Sequence, residues 1–172
     1  MKSWIIFVSA ALTLSIGEAN ETQTGTKALK ADIESAMAIH NKARKDVRSP
    51  ALKWSKKLAE DAQQYANLLA KKGSGLVHAK TRGQGENLFM GSRMKNPATS
   101  ASKAWYNEIE HYKHSKVSPS NFNRAKPTGH YTQMVWKSTR EVGIGMAVSE
   151  KGWVYVVARY SPGGNMIGKY PY

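Results

Sequence analysis

The sequence contains no cysteine among its 172 residues. This absence excludes disulfide bonds, thiolate-ligated zinc or iron–sulfur centres, and a thiol nucleophile. Acidic residues are also few, since 12 Asp and Glu stand against 26 Lys and Arg. Neither the Gly-x-Ser-x-Gly motif of serine hydrolases nor the His-Glu-x-x-His motif of zinc proteases occurs. The sequence therefore supports neither a Ser-His-Asp triad nor a metalloprotease helix.

Long apolar runs are also lacking. The longest, Trp4–Ile16, has 13 residues and follows Lys2, whereas a membrane-spanning helix needs about 20. Gly17 and Ala19 then place small residues two apart, which is the pattern that signal peptidase recognises. We predict a secretory signal peptide over residues 1–19, and hence a secreted, extracellular protein. An uncleaved membrane anchor is the alternative.

The remainder of the chain has the length and composition of one globular domain. A threonine-rich segment over residues 20–27 is expected to be a flexible lead-in, and residues 28–172 are expected to form a single domain. Asn20 begins a glycosylation sequon that directly follows the predicted cleavage point.

The charge of the chain is strongly one-sided, with a formal net charge of +14. Such a charge attracts anionic lipid, sulfated glycan or nucleic acid. Few aromatic residues lie among the basic ones and no nucleic-acid-binding motif is present, so we do not expect nucleic acid to be the partner. Anionic lipid or sulfated glycan fits better. The alternative is a basic surface that serves solubility alone.

The apolar pattern predicts helices and two strands in one α+β domain. Helices are expected over residues 29–44, 55–72, 99–111 and 129–136. Strands are expected over residues 142–148 and 153–160, and loops over residues 73–85, 90–100 and 113–127. Ser55 and Gly73 are typical of the start and the end of the second helix.

Four titratable residues lie on or beside apolar segments. Glu108 falls on the apolar face of the third helix, and His130 opens the short fourth helix. His78 and Glu86 lie in or beside the loop before the Leu88-Phe89 pair. Imidazole and carboxylate groups suit zinc, and they also suit general acid–base catalysis. The alternative is a hydrogen-bonded polar cluster that ties loops to the core.

Two other features have structural interpretations. His40 and Arg44 lie one turn apart on the inner face of the first helix. We interpret them as a core histidine and as an arginine that packs or forms an ion pair. Gly143-Ile-Gly145 lies within a strand pattern and has no helix after it, so it predicts close backbone packing rather than a phosphate loop.

Six short motifs occur in a characteristic order. They are His40-Asn-x-x-Arg44, Leu52-Lys-Trp54, Gly85-Glu-Asn-Leu88, Trp105-x-x-Glu108, Gly129-His-Tyr-Thr-Gln-Met-Val-Trp136 and Tyr155-Val-Val-Ala-Arg-Tyr160. Together they resemble the CAP superfamily, which contains the cysteine-rich secretory proteins, antigen 5 and the plant pathogenesis-related class 1 proteins. The chain is most similar to the cysteine-poor Golgi-associated type, from which its predicted signal peptide departs. Ala158 stands where most secreted members have Cys.

The resemblance implies a three-layer α-β-α sandwich with a central cleft and no disulfides. It also implies that His78, Glu86, Glu108 and His130 form the cleft tetrad of the family, in which the two histidines bind zinc or another divalent cation in several relatives. Family members are linked to sterol, fatty-acid and anionic phospholipid binding, to defence, and to venom action on ion channels. The resemblance gives no reaction.

We expect a secreted, non-enzymatic protein that binds lipid, sterol or an anionic membrane surface. Leu88, Phe89, Met90 and Met94 could form an apolar lip for such a ligand, although packing in the core is the favoured interpretation of Leu88 and Phe89.

Two other functions stay open. One is a zinc hydrolase in which Glu86 or Glu108 is the general base. The other is a secreted venom-like or effector protein that binds a host protein. The sequence ends at Tyr172 without a Cys-rich extension, which counts against channel-directed activity.

Overall fold

The computed structural model describes residues 14–172. Residues 1–13, most of the predicted signal peptide, lie outside the described residues. Residues 20–27, for which a flexible lead-in was expected, are helical backbone within the first helix. The chain divides into two units, Met1–Ala31 and Asp32–Tyr172. The fold that follows is that of the second unit.

Four helices and four strands are described. The helices are α1 Leu14–Asp46, α2 Lys56–Lys72, α3 Pro97–Asn107 and α4 Gly129–Met134. The strands are β1 Lys53–Trp54, β2 Gly85–Ser92, β3 Glu141–Val148 and β4 Trp153–Ser161. Short 3-10 turns cover Glu108–His111 and Pro119–Phe122. Among the described residues, no helix combines the length and the apolar character needed to cross a bilayer.

The strands form one sheet in the order β1-β3-β4-β2. Strands β3 and β4 are joined as a hairpin, β2 pairs antiparallel with β4, and β1 pairs parallel with β3. Strand β2 is therefore an edge strand, and the candidate cleft lies along it.

Alternate residues of β4 serve two separate cores, because successive side chains of a strand point to opposite faces. Val156 and Tyr160 join the core that α1, α3 and α4 cover, whereas Tyr155 and Val157 join the core that α2 covers. Helices thus lie on both faces of the sheet. The mixed α+β class and the three-layer α-β-α arrangement are confirmed.

Two glycines on β3 let α2 approach the sheet closely. A Cβ atom on Gly143 would collide with the backbone of Ala59, and one on Gly145 would collide with the backbone of Gln63. The interpretation of Gly143-Ile-Gly145 as close backbone packing is confirmed.

The sequence prediction missed strand β2. Residues 85–92 form this strand. The prediction instead placed one loop over residues 73–85 and a second loop over residues 90–100. The usual strand alternation is hidden because polar Glu86 and Asn87 stand next to apolar Leu88 and Phe89, and both faces of this edge strand meet other parts of the molecule. The third helix was also placed too late, since α3 begins at Pro97 and gives way at Glu108 to a 3-10 turn.

Candidate functional site: a cleft with two histidine–glutamate pairs

A cleft of about 730 Å³ lies along the edge strand β2. One wall comes from β2 and the loop before it, and the other comes from the segment that leads into α4. The lining residues are Leu76, His78, Glu86, Asn87, Leu88, Met90, Asn121, Phe122, Arg124, Pro127, Gly129, His130 and Asn165. Its volume is within the range of small-molecule sites, and apolar groups predominate in its walls.

His130 and Glu108 form the first histidine–glutamate pair. Glu108 Oε1 lies 2.6 Å from His130 Nδ1, and Glu108 Oε2 accepts the backbone N–H groups of His130 and Tyr131 at 2.9 and 3.0 Å. A carboxylate only accepts hydrogen bonds, so Nδ1 is the donor, and in the neutral ring Nε2 holds the lone pair. Both carboxylate oxygens are thereby used to hold α4 and orient the ring.

A stacked indole supports the same histidine. The rings of Trp105 and His130 lie 6.2 Å apart at an interplanar angle of 26°. The Trp105 indole N–H donates to the backbone oxygen of Leu88 at 3.1 Å and so ties α3 to β2. The His130 ring is therefore held between a carboxylate and an aromatic face.

His78 and Glu86 form the second pair, on the other wall. Glu86 Oε1 accepts from His78 Nδ1 at 2.7 Å and from the backbone N–H of Ala79 at 3.0 Å. Its Oε2 lies 3.0 Å from Nη2 of the buried Arg159, an ion pair that lacks the alignment of a hydrogen bond. As in the first pair, Nδ1 is the donor, and in the neutral ring Nε2 holds the lone pair.

A buried chain of hydrogen bonds connects α1 with the cleft. His40 Nδ1 donates to the backbone oxygen of Ala36 at 2.8 Å, and the Tyr160 hydroxyl donates to His40 Nε2 at 2.8 Å. Asn87 Nδ2 donates both to this hydroxyl and to the backbone oxygen of His130. Burial lowers the pKa of His40 to about 4, so that the ring is neutral at pH 7. The interpretation of His40 as a core histidine is confirmed.

Arg44 holds the segment that follows α4. Its side chain is fully buried and donates to the backbone oxygens of four residues: Pro50, Met134, Trp136 and Thr139. Burial is the main cause that lowers its pKa to about 10. Arg44 thus has a packing role, and its partners are carbonyl groups rather than a carboxylate.

Comparison with known proteins identifies the family. The model of the CAP (cysteine-rich secretory protein) family matches residues 37–160. The chain belongs to this family. It is 40% identical over 134 residues to pathogenesis-related protein 1C of Nicotiana tabacum, covering 77% of this chain and 76% of that protein. It is 37% identical over 151 residues to the human Golgi-associated plant pathogenesis-related protein 1, covering 84% and 92%.

Solved structures agree with the CAP fold. The crystal structure of NaASP2 with Zn²⁺ superposes with a TM-score of 0.69 at 28% identity, and the match covers 81% of this chain and 83% of that one. Na-ASP-1 superposes with a TM-score of 0.70 at 23% identity, where this chain spans 40% of the other. The second likeness shows the fold alone.

The structure brings three of the four predicted tetrad residues to the cleft wall and places Glu108 directly behind His130. Within residues 14–172, no group of three or more His, Cys, Asp or Glu is arranged to hold a metal ion. The donors that remain are two imidazole nitrogens, each oriented by a carboxylate, which is the usual outer-shell support of a metal-binding histidine. Imidazole nitrogen is a donor type that a divalent cation accepts, but these two donors alone would leave its other ligands to water or to a bound molecule.

The predicted apolar lip does not form a loop, because Leu88, Phe89 and Met90 belong to β2. Leu88 and Met90 line the cleft, Phe89 packs against the core on the α1 side, and Met94 lies over Gly91. The exposed apolar residues of the cleft are instead Leu76 on one wall and Phe122 on the other.

Several residues of the cleft were missed by sequence reasoning. Asn87 and Tyr160 connect the core to His130, Arg159 neutralises Glu86, and Asn165 accepts the Thr132 hydroxyl beside the cleft. Each of these residues lies within or beside a family motif, which was the available signal. Their partners are remote along the chain, so the sequence did not indicate what they contact.

Proposed function

We propose that this CAP-domain protein is secreted and binds the apolar part of a lipid in its cleft, without catalysing a reaction. The observation that carries the proposal is the predominantly apolar lining of the cleft, which also contains two imidazoles, each oriented by a carboxylate. An apolar ligand buried there would gain roughly 25 cal/mol for each Å² removed from water.

The polar groups of the cleft suit a head group. Nε2 of His78 and of His130 face no protein partner in the contacts described for these rings. Arg124 adds a positive charge to the lining. The two imidazoles would hold zinc or another divalent cation, which would supply an electrophilic contact for an oxygen of the ligand. A relative of the same fold was crystallised with Zn²⁺.

Two features favour binding over catalysis. Among the described residues that line the cleft there is no Ser, Thr or Lys, so no such side chain is placed for covalent catalysis. Glu86 and Glu108 each use both oxygens on a histidine ring, backbone N–H groups or Arg159. These carboxylates orient the histidines, so neither is placed as a free general base.

A metal-dependent hydrolase is the second candidate, because two available imidazole nitrogens are a partial zinc ligand set. A measurement of substrate turnover distinguishes the hydrolase from the lipid-binding protein. Purified protein loaded with zinc is expected to leave panels of ester and peptide substrates unchanged. Turnover that disappears in His130→Ala, with folding intact, would favour the hydrolase.

Displacement of a fluorescent fatty acid tests the binding proposal. Leu76→Asp and Phe122→Asp place a charge at each wall of the cleft, and both positions are exposed enough to leave the fold intact. Each variant is expected to weaken binding about tenfold or more, since apolar contact is replaced by a charge that must be desolvated. Val148→Asp is the matched control, because Val148 is 65% exposed and is absent from the cleft lining. Unchanged affinity in both cleft variants would reject the proposal.

Secretion has its own test. The protein recovered from the medium of a eukaryotic host is expected to begin at Asn20, as read by N-terminal sequencing or intact mass. The mature chain would keep the net charge of +14, because Lys2 and Glu18 cancel. Retention of residues 1–19 on a cell-associated protein would indicate an anchor. Capture of a sulfated glycan or a host protein, with no lipid bound, would favour the other partners that the charge permits.

A further inference from the structure

A second groove lies where the chain crosses from α4 to β3 and meets the C-terminal segment. Its lining residues are Trp136, Lys137, Ser138, Arg140, Met166, Lys169, Tyr170 and Pro171. None of these residues lines the cleft, although Asn165, the neighbour of Met166, does. The groove is thus a separate surface that adjoins the cleft along the chain.

Apolar side chains protrude beside this groove. Met166, Ile167 and Tyr170 are 52%, 61% and 51% exposed. Met166 and Ile167 are consecutive residues with aliphatic side chains, and they lie at the tip of a turn. Leaving such groups in water is unfavourable in a monomer, and exposed apolar groups that cluster mark interaction sites.

The charge around these apolar residues has one sign. Lys137, Arg140 and Lys169 line the groove, and no acidic residue is among its described lining. The Lys116 ammonium lies 5.9 Å from the centre of the Tyr170 ring and adds a fourth cation. The groove therefore combines exposed apolar groups with four nearby cations.

The turn that carries Met166 and Ile167 is held in place. Gly168 N–H donates to the backbone oxygen of Val117 at 2.8 Å, and Val117 N–H donates to that of Lys169 at 2.9 Å. Lys169 N–H donates to the backbone oxygen of Met166 at 3.1 Å and so closes the turn. Because the backbone is bonded on both sides of the tip, little further ordering is needed when the tip meets a partner.

We propose that Met166 and Ile167, with Lys137 and Lys169, dock this protein on the surface of a membrane that contains anionic lipid. Sulfated glycans and nucleic acids offer charge but no apolar phase for the two aliphatic side chains, whereas the interfacial region of a bilayer offers both. The proposal rests on the lipid-binding function above and adds to it the surface by which the protein would meet a membrane.

Vesicle binding by the purified protein tests the docking surface. The probes are phosphatidylcholine vesicles with and without phosphatidylserine, at low and high salt. In the charge variant, Lys137→Ala with Lys169→Ala, affinity for the anionic vesicles is expected to fall about fivefold per lysine at low salt. In the apolar variant, Met166→Ser with Ile167→Ser, it is expected to fall about tenfold at both salt concentrations. The matched control is Val148→Ser with Lys151→Ala, which removes an exposed aliphatic group and a lysine elsewhere.

Three results would overturn the docking proposal. These are no binding of the wild-type protein to anionic vesicles, unchanged vesicle binding in both groove variants, or an equal loss in the control. Heparin binding is measured on the same variants. Groove variants that lose affinity for heparin but keep their affinity for vesicles would also overturn the proposal and make this a glycan site. The fatty-acid assay is run on the same samples. Groove variants that bind fatty acid normally but lose vesicles support docking, whereas a failure of fatty-acid binding in all samples rejects the cleft function alone.

Discussion

The two histidine–glutamate pairs of the cleft have the same hydrogen bond but different surroundings. The His130 side chain is 30% exposed and stacks on Trp105. Glu108 also accepts the backbone N–H of His130, which fixes the backbone at this position. The His78 side chain is 63% exposed and lies in the loop between α2 and β2, where its described polar partner is Glu86. The wall that carries His130 therefore holds its histidine against the core, whereas the wall that carries His78 holds its histidine on a surface loop. We call these the fixed wall and the loop wall.

From this difference we expect the two walls of the cleft to have different roles in binding. A fixed wall defines where a ligand or an ion is held, because its geometry does not have to be ordered on binding. We expect a loop wall to adjust to a bound ligand, since loops are the more mobile parts of a fold. The following variants disturb the fixed wall first and then compare it with the loop wall.

The largest effect on stability is expected at Arg44, which supports the fixed wall by donating to backbone oxygens at and after the end of α4. Arg44→Met keeps much of the side-chain volume but leaves the backbone oxygens of the segment after α4 buried without their donor. Each orphaned acceptor costs about 1–3 kcal/mol, so unfolding free energy should fall by about 4 kcal/mol or more. Chemical denaturation measures it. Lys45→Met, on the exposed side of the same helix, is the control. A similar, small loss in both variants would contradict the role given to Arg44.

Acid is expected to weaken the same wall through His40. The folded-state pKa of about 4 lies below the ordinary value of 6.5, so the folded protein binds this proton less readily than the unfolded chain. The stabilisation is complete above pH 6.5 and is lost as the pH falls from 6.5 towards 4, by roughly 3 kcal/mol. Denaturation at several pH values should show this slope, and it should be absent in His40→Gln. A flat profile from pH 6.5 to 5 in the wild type would refute the prediction.

Glu108→Gln tests the carboxylate that ties His130 to its own backbone. An amide offers one accepting oxygen where the carboxylate offers two. Its NH₂ group would therefore face either Nδ1 of His130 or the two backbone N–H groups that share Oε2. We expect a loss of about 2 kcal/mol in unfolding free energy. Glu110→Gln, two residues away and exposed, should cost less than about 0.5 kcal/mol. Equal losses at the two positions would show that Glu108 does not support the wall.

The smallest effect sharpens the comparison between the two histidines. His130→Ala removes a stacked ring and leaves Glu108 without its side-chain donor, so we expect a loss of about 1–2 kcal/mol. His78→Ala removes a largely exposed ring and should cost less than about 0.5 kcal/mol. Thermal melts of the two variants, side by side, give the difference. A His78 loss that matched or exceeded the His130 loss would mean that the loop wall is no less fixed than the other.

The sequence predicted those parts whose signals are local. Helix α2 begins and ends where Ser55 and Gly73 indicated, because an amphipathic stripe runs between a start signal and a left-handed glycine. Burial of Glu108 was also predictable, since it shares an apolar stripe with Trp105.

Other parts depend on contacts between remote segments. Strand β2 was missed because Glu86 and Asn87 interrupt its alternation in order to serve the cleft. Arg44 was recognised as structural, but nothing near it in the sequence indicated that its partners are carbonyl groups after α4. Likewise, His78 and His130 were expected in one cleft from family resemblance, whereas their spacing alone left this open. The structure places both on the lining of the same cleft.

The most direct test of this account follows the five histidines of the chain by NMR during a zinc titration. If the two walls act as one site, the ring signals of His78 and His130 should shift together, with one midpoint and one ion per protein. The signals of His40, His111 and His114 should stay unchanged until that site is full. Separate midpoints for His78 and His130, or shifts of His111 and His114 at the same concentrations, would contradict a single site formed by the two pairs.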